Sequence, residues 1–257
     1  MQQAAEFQQL RQAAQLSYKF LCEVNELQKL TAIKSFIKGE LEGWGKVERF
    51  LFPLIIAALC AVSFMINDSK IALISAVCGI CYTILAGKGK ISCYFIGICG
   101  TVCYVWIAYR NALYGNLLLY ALYYLPMQVA GIFKWKKHLK KDKQEIEKTT
   151  LSRKERVLYF SAACLICIAV WAGLHRLGSA APFADAFSVV FSVLGMLLTV
   201  KRCYEQWIVW LFVNAVSLYM WILAYLNGSN CFATIVMWSV YLCLAVYFMS
   251  VWKREIK

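Results

Sequence analysis

Charged side chains are absent from the interior of every long apolar run in this chain, and that gap excludes several kinds of activity. Asp185 and Glu205 sit near the ends of such runs, and no Asp, Glu, Lys, Arg or His lies well inside one. Proton relays and ion-coupled pumps depend on ionisable groups at bilayer depth, so no ion-coupling site is expected. Histidine is scarce as well: the two are His138, in a polar connection, and His175, at the edge of an apolar run. General acid and base catalysis lacks its usual groups, and an enzyme is not expected. Acidic residues number 14 against 27 lysines and arginines, giving a net charge of +13. In a soluble protein that charge would suggest nucleic acid. Here it gathers in loops and tails without a basic, aromatic-interleaved face, so the partner it fits is anionic lipid and not nucleic acid. The first 48 residues are polar and charged, so no cleavable signal peptide is expected.

The chain is 61% hydrophobic, against nearer half for an ordinary soluble domain. Eight apolar segments, 49–66, 70–86, 91–110, 114–134, 155–176, 183–200, 205–226 and 230–252, each approach the ~20 residues that cross a hydrocarbon core. The expected fold is all-α: a polytopic membrane helix bundle with eight spans. Assigning each Lys and Arg to its nearest connection puts 24 on one side of the membrane and 3 on the other. Basic loops resist translocation, so both termini and the 134–156 loop are expected in the cytoplasm. The twelve cysteines fall mostly within spans, where a thiol behaves as a small hydrophobe. Cys78/Cys81 and Cys164/Cys167 have metal-ligand spacing but no nearby histidine or second pair, so neither metal nor cofactor is expected.

Residues 1–48 form a separate polar segment in which Phe7, Leu10, Ala14, Leu21 and Val24 recur at helical spacing, predicting an amphipathic helix. Residues 49–257 form the membrane domain, and within it the sequence echoes itself. Trp106-Ile107-Ala108-Tyr109 returns as Trp221-Ile222-Leu223-Ala224-Tyr225, and Lys134-Trp135-Lys136-Lys137 closes the fourth span much as Val251-Trp252-Lys253-Arg254 closes the eighth. This suggests an extra first span (49–66), a three-span repeat (70–134), a connector helix (155–176) and a second repeat (183–252). Three crossings reverse the side of the chain and the connector restores it, so the repeats are parallel, with a path for a solute between them.

Candidate site residues are polar or aromatic groups at membrane depth. Asn214 lies four residues after Trp210 and seven after Trp207, on one helical face. Tyr120, Tyr123, Tyr124 and Gln128 flank Pro126 on the fourth span, where proline removes a backbone donor and favours a kink or hinge. Ser188 and Ser192 on the sixth span and Trp238 and Tyr241 on the eighth complete a ring. Gly97 and Gly100 most simply permit close helix approach. Glu205, following Lys201 and Arg202, suits an ion pair or a gate.

From Ala86 to Trp135 the chain resembles the PnuC family of nicotinamide riboside transporters, through Lys88-Gly89-Lys90, Tyr94-Phe95-Ile96-Gly97, Leu113-Tyr114-Gly115 and Tyr123-Tyr124-Leu125-Pro126-Met127-Gln128, with Gly131 and Trp135. In the second half Asp185, Ser192, Arg202, Glu205, Trp207, Trp210 and Asn214 extend the likeness, while Met196 stands where some relatives are expected to carry a polar residue. The resemblance implies a bacterial inner-membrane protein of the three-plus-one-plus-three, SWEET-like build, often a homotrimer. It implies import of a vitamin B3 nucleoside by facilitated diffusion, with trapping by a cytosolic riboside kinase. On that basis Trp207, Trp210, Tyr120 and Tyr124 are assigned to ring stacking. Asn214 and Gln128 are assigned to hydrogen bonds, Ser192, Trp238 and Tyr241 to the remaining wall, and Glu205, Arg202 and Pro126 to a gate. A sugar or another vitamin such as thiamine is the alternative cargo, and a scaffold without transport is the alternative class.

Overall fold

The computed structural model describes residues 28, 31, 34–65, 69–110, 114–140, 145–178, 181–228 and 232–256. Two units divide the chain, Met1–Trp44 and Gly45–Lys257. The first is helical over 34–41. The amphipathic stretch from Phe7 to Val24 lies outside the described residues.

In the second unit, eight helices are long and apolar enough to cross a membrane. They are α1 (Lys46–Met65), α2 (Lys70–Gly87), α3 (Ser92–Arg110), α4, α5 (Arg153–Arg176), α6 (Pro182–Val200), α7 (Glu205–Leu226) and α8 (Phe232–Ile256). The helix α4 has three parts: Tyr114–Leu119, a wide π turn at Tyr120–Tyr124, and Leu125–Lys136. Each helix lies within a few residues of its expected span. The outward faces carry large apolar side chains, such as Phe50, Phe95, Leu122, Leu165 and Phe212. That pattern suits lipid as solvent, because an α-helix satisfies its own backbone and needs only apolar side chains outside. Gly97 and Gly100 let α3 close on α2, since a Cβ would fall 2.7 Å from the Tyr82 ring or 2.8 Å from the Cys78 Cβ.

The turn joining α2 to α3 and the turn joining α6 to α7 are built alike. In the first, Lys88, Gly89 and Lys90 donate backbone N–H groups to Ile84, Ala86 and Leu85; in the second, Lys201, Arg202 and Cys203 donate to Leu197, Thr199 and Leu198. The central residue is left-handed in both, Gly89 at φ 69° and Arg202 at φ 63°. Glycine takes that conformation freely, whereas an arginine there is strained. Beside each turn sits a matching aromatic pair. Tyr94 meets Trp135 edge-on at 4.9 Å, and Trp207 meets Trp252 at 5.7 Å. The indoles then cross over. Trp135 donates to the Thr199 carbonyl on α6 at 3.1 Å, and Trp252 donates to the Gly87 carbonyl on α2 at 2.7 Å.

A strap running from residue 145 to 151 crosses both turns. Ile146 N–H donates to the Gly89 carbonyl and Thr149 N–H to the Arg202 carbonyl, each at 3.0 Å, and Tyr204 N–H returns to Thr149. The Arg202 guanidinium donates to the Glu147 carbonyl at 2.7 Å, an attachment that accompanies its strained backbone. Lys148 pairs with Glu255 at 2.6 Å and lies over the Trp252 ring. Burial pulls the Lys148 ammonium below the ordinary lysine range, with Glu255 opposing. The strap ends in Ser152, which forms a capping box with Glu155 and starts α5.

Packing places α5 to one side. Ala163 and Cys167 are buried against a core that includes Ala186, Val190 and Phe191 of α6, while Leu158, Leu165, Ile166 and Ile168 face outward.

Candidate functional site

A cavity of about 520 Å³ lies among α1, α2, α3, α4, α6, α7 and α8, with no lining residue from α5. Its wall reaches Ala72 and Thr234 at the starts of α2 and α8, and Gln206 at the start of α7. At the strap end the buried rings of Tyr94, Trp135, Phe248 and Trp252 stand between helices with essentially no exposure. Among the described residues lining the cavity, none is charged.

All nine sequence-predicted binding residues fall on this wall: Gln128, Tyr120, Tyr124, Ser192, Trp207, Trp210, Asn214, Trp238 and Tyr241. Ser188 and Tyr123 do not; the Tyr123 hydroxyl donates to the Val193 carbonyl and ties α4 to α6. The residues expected as a gate, Glu205, Arg202 and Pro126, are also off the wall. Glu205, 1% exposed, pairs with neither of its sequence neighbours Lys201 and Arg202. It accepts from Arg156 of α5 at 2.7 Å and from the Leu151 N–H at 3.1 Å. Lys201 instead donates to Tyr159, which, with nearby Glu155, holds its ammonium above the ordinary lysine range. Pro126 does not itself break the helix. The irregularity lies just before it, where Leu125 N–H reaches back five residues to the Tyr120 carbonyl. Proline has no N–H for the normal bond to Leu122, and the wide turn absorbs the mismatch.

That turn fans tyrosines along the wall. Tyr104 and Tyr120 lie 4.2 Å apart between ring centroids, and Tyr120 and Tyr124 lie 4.8 Å apart. Trp210 packs onto Gly195 and donates to the Thr199 hydroxyl at 3.2 Å. Gln128 donates to the Thr101 hydroxyl at 2.8 Å, but its Oε1 has no partner. Gln206 Nε2 and Trp207 Nε1 are likewise buried without an acceptor. Buried polar groups are almost always bonded, so three unmet atoms on one cavity wall mark where a solute's own polar groups fit.

Several lining residues were missed from the sequence. Gln206 sits four residues before Trp210 and eight before Asn214, on the same helical stripe, so the spacing was available. Thr101 and Tyr104 lie three residues apart on one face of α3, so that signal was available as well, and Tyr82 has Thr83 beside it on α2. Met196 is on the wall and receives the Tyr82 hydroxyl at its sulfur, 3.6 Å away.

A bundle with eight membrane-spanning helices among the described residues, around an uncharged, ring-lined cavity, has the build of a multi-pass membrane transporter for a small organic solute. The chain belongs to the nicotinamide mononucleotide transporter family, whose family model matches residues 69–254. It is 33% identical over 221 residues to the nicotinamide riboside transporter PnuC of Neisseria mucosa, covering 84% of each chain. It is 26% identical to the PnuC of Haemophilus influenzae, over 84% of this chain and 94% of that one. A crystal structure of the vitamin B3 transporter PnuC superposes with a TM-score of 0.74 at 31% identity, covering 86% of this chain and 97% of that one. The chain is a multi-pass protein of the bacterial inner membrane.

Proposed function

We propose that this chain carries nicotinamide riboside across the bacterial inner membrane by facilitated diffusion. The supporting observation is the uncharged wall of rings and amides around a cavity of about 520 Å³, a size in the usual ~300–1,000 Å³ range of small-molecule sites. The riboside has a pyridinium ring, a carboxamide and hydroxyls but no phosphate. Aromatic faces hold a desolvated cation without a carboxylate, at about 1–2 kcal/mol each. Trp210 and the Tyr104, Tyr120 and Tyr124 rings serve the pyridinium, and Asn214 and Gln128 serve the polar groups. The family description names the mononucleotide and the relatives name the riboside. With no lysine or arginine among the described residues of the wall, none of them neutralises a phosphate dianion, which favours the riboside.

In this scheme residues 70–134 and 183–252 are parallel three-helix repeats, 155–176 connects them, and 49–66 is an added span that supplies Leu59 and Ser63 to the wall. The likeness of the two turns and the crossing indoles support that division. Both termini and the strap face the cytoplasm, the chain assembles as a homotrimer, and a cytosolic kinase traps the imported riboside by phosphorylation. Glu205 and Arg202 act on the gate by fastening the strap, and Pro126 by imposing the wide turn of α4.

Calorimetry on the purified protein tests the cargo. Saturable binding of nicotinamide riboside is expected, with none for the mononucleotide at the same concentrations. Binding of thiamine or a neutral sugar in place of the riboside would overturn the assignment. In liposomes, uptake of labelled riboside is expected to ignore an imposed proton or sodium gradient; accumulation abolished by a protonophore would demand a coupling site.

A further inference from the structure

Two hydrogen-bond donors on consecutive residues lie at the strap end of the cavity with nothing in the protein to receive them. Gln206 is 1% exposed and Trp207 2%. Both line the cavity, and neither Gln206 Nε2 nor Trp207 Nε1 has an acceptor. Most polar groups around them are satisfied, and the two others left without a partner at this end, the Tyr94 hydroxyl and Arg202 Nε, do not line the cavity. The indoles of Trp135, Trp210 and Trp252 all donate to protein oxygens, and the Thr199 hydroxyl both receives Trp210 and donates to the Gly195 carbonyl. A buried donor without a partner is costly, so two side by side on the cavity wall point to an oxygen that arrives with the solute. Position fixes which end they serve. The Trp207 ring is locked against Phe248 and Trp252, at 5.3 and 5.7 Å between centroids, which holds its N–H and the first turn of α7 still.

The unmet group on α4 has the opposite sense. Gln128 Oε1 is an acceptor, beside the stacked tyrosines. A solute with an N–H donor on its aromatic end and several oxygens on its other end satisfies both sets at once. Given the riboside as cargo, the carboxamide N–H goes to Gln128 and the sugar oxygens go to the donor pair.

We propose that Gln206, with Trp207 beside it, reads the ribose oxygens of the solute and sets the preference for a riboside over the bare ring cation. Gln206 is thus a specificity residue, and the solute lies with its sugar toward the strap. The inference rests on the transport reading above and adds an orientation to it.

The test compares nicotinamide riboside with 1-methylnicotinamide, which keeps the charged ring and carboxamide but has a methyl in place of the sugar. With full-length purified protein, Gln206→Met preserves side-chain length and removes the donor. Riboside affinity is expected to fall about tenfold, as for the loss of one buried hydrogen bond. The affinity for 1-methylnicotinamide is expected to hold within about twofold. Gln206→Leu, which removes the amide without adding a charge, is expected to lose riboside preference in the same way and decides the matter if the Met variant folds poorly. Equal losses for both solutes, or no loss for either, would overturn the role of Gln206 while leaving the cargo intact. Failure of the unaltered protein to bind the riboside would overturn the transport reading and this inference together.

Discussion

Glu48→Ala is expected to destabilise the protein by about 3 kcal/mol, within the ~3–5 kcal/mol typical of breaking one side of a buried ion pair. Glu48 sits in the first turn of α1 and is 7% exposed. Its carboxylate accepts from Lys88 at 2.6 Å, from the Gly45 N–H at 2.6 Å and from the Tyr247 hydroxyl. Removing it takes from a buried ammonium and a half-buried phenol the anion they share, and releases the start of α1 from the α2–α3 turn and from α8. Thermal unfolding of the purified protein reads the effect, with a midpoint lower by roughly 6–12 °C for a chain of this size. The double variant Glu48→Ala/Lys88→Met is expected to recover part of the loss, because the buried ammonium that Glu48 neutralised is removed as well. A single-variant shift below about 2 °C would mean that the pair contributes no more than a surface contact.

Trp210→Ala is expected to weaken riboside binding by about 2 kcal/mol, or roughly thirty-fold, through loss of one desolvated ring face. The indole is held on two sides. Its ring rests on Gly195, where a Cβ would come within 2.9 Å, and its N–H is fixed on the Thr199 hydroxyl. Such a ring needs no reorganisation when a flat cation arrives, so its removal costs binding more directly than removal of a mobile one. Trp210→Phe is expected to keep most of the affinity. Gly195→Ala displaces the ring without deleting it and is expected to weaken binding in the same direction. Asn214→Ala, which removes one hydrogen-bonding group, is expected to cost about 1 kcal/mol. Calorimetry that returns unaltered affinity for Trp210→Ala would take the residue out of the site.

Much of this architecture was legible in the sequence because lipid imposes a simple rule. A helix that faces hydrocarbon must be apolar for about twenty residues, so the spans follow from composition alone. The wall was legible where two or more polar or aromatic residues share a stripe, as Trp207, Trp210 and Asn214 do. Gln206 belonged to that stripe and was overlooked because it stands beside Glu205 at a helix start, where a polar residue is ordinary. The contacts of the strap left no local trace. Glu205 has two cations within four residues of it in sequence and still pairs with Arg156 of α5, because the fold, not sequence distance, decides which cation arrives at hydrogen-bonding range. The wide turn before Pro126 was legible as a disturbance but not as a register change, since proline reveals which bond is lost and not how neighbouring bonds rearrange.

The attachment points at Ile146 and Thr149 set a limit on how far the α2–α3 turn and the α6–α7 turn can part. Three residues of fully extended chain span only about 10 Å, so the paired turns share a tether of fixed, short length. Spreading them farther requires one of the two backbone anchors to let go, so the weaker anchor sets the reach.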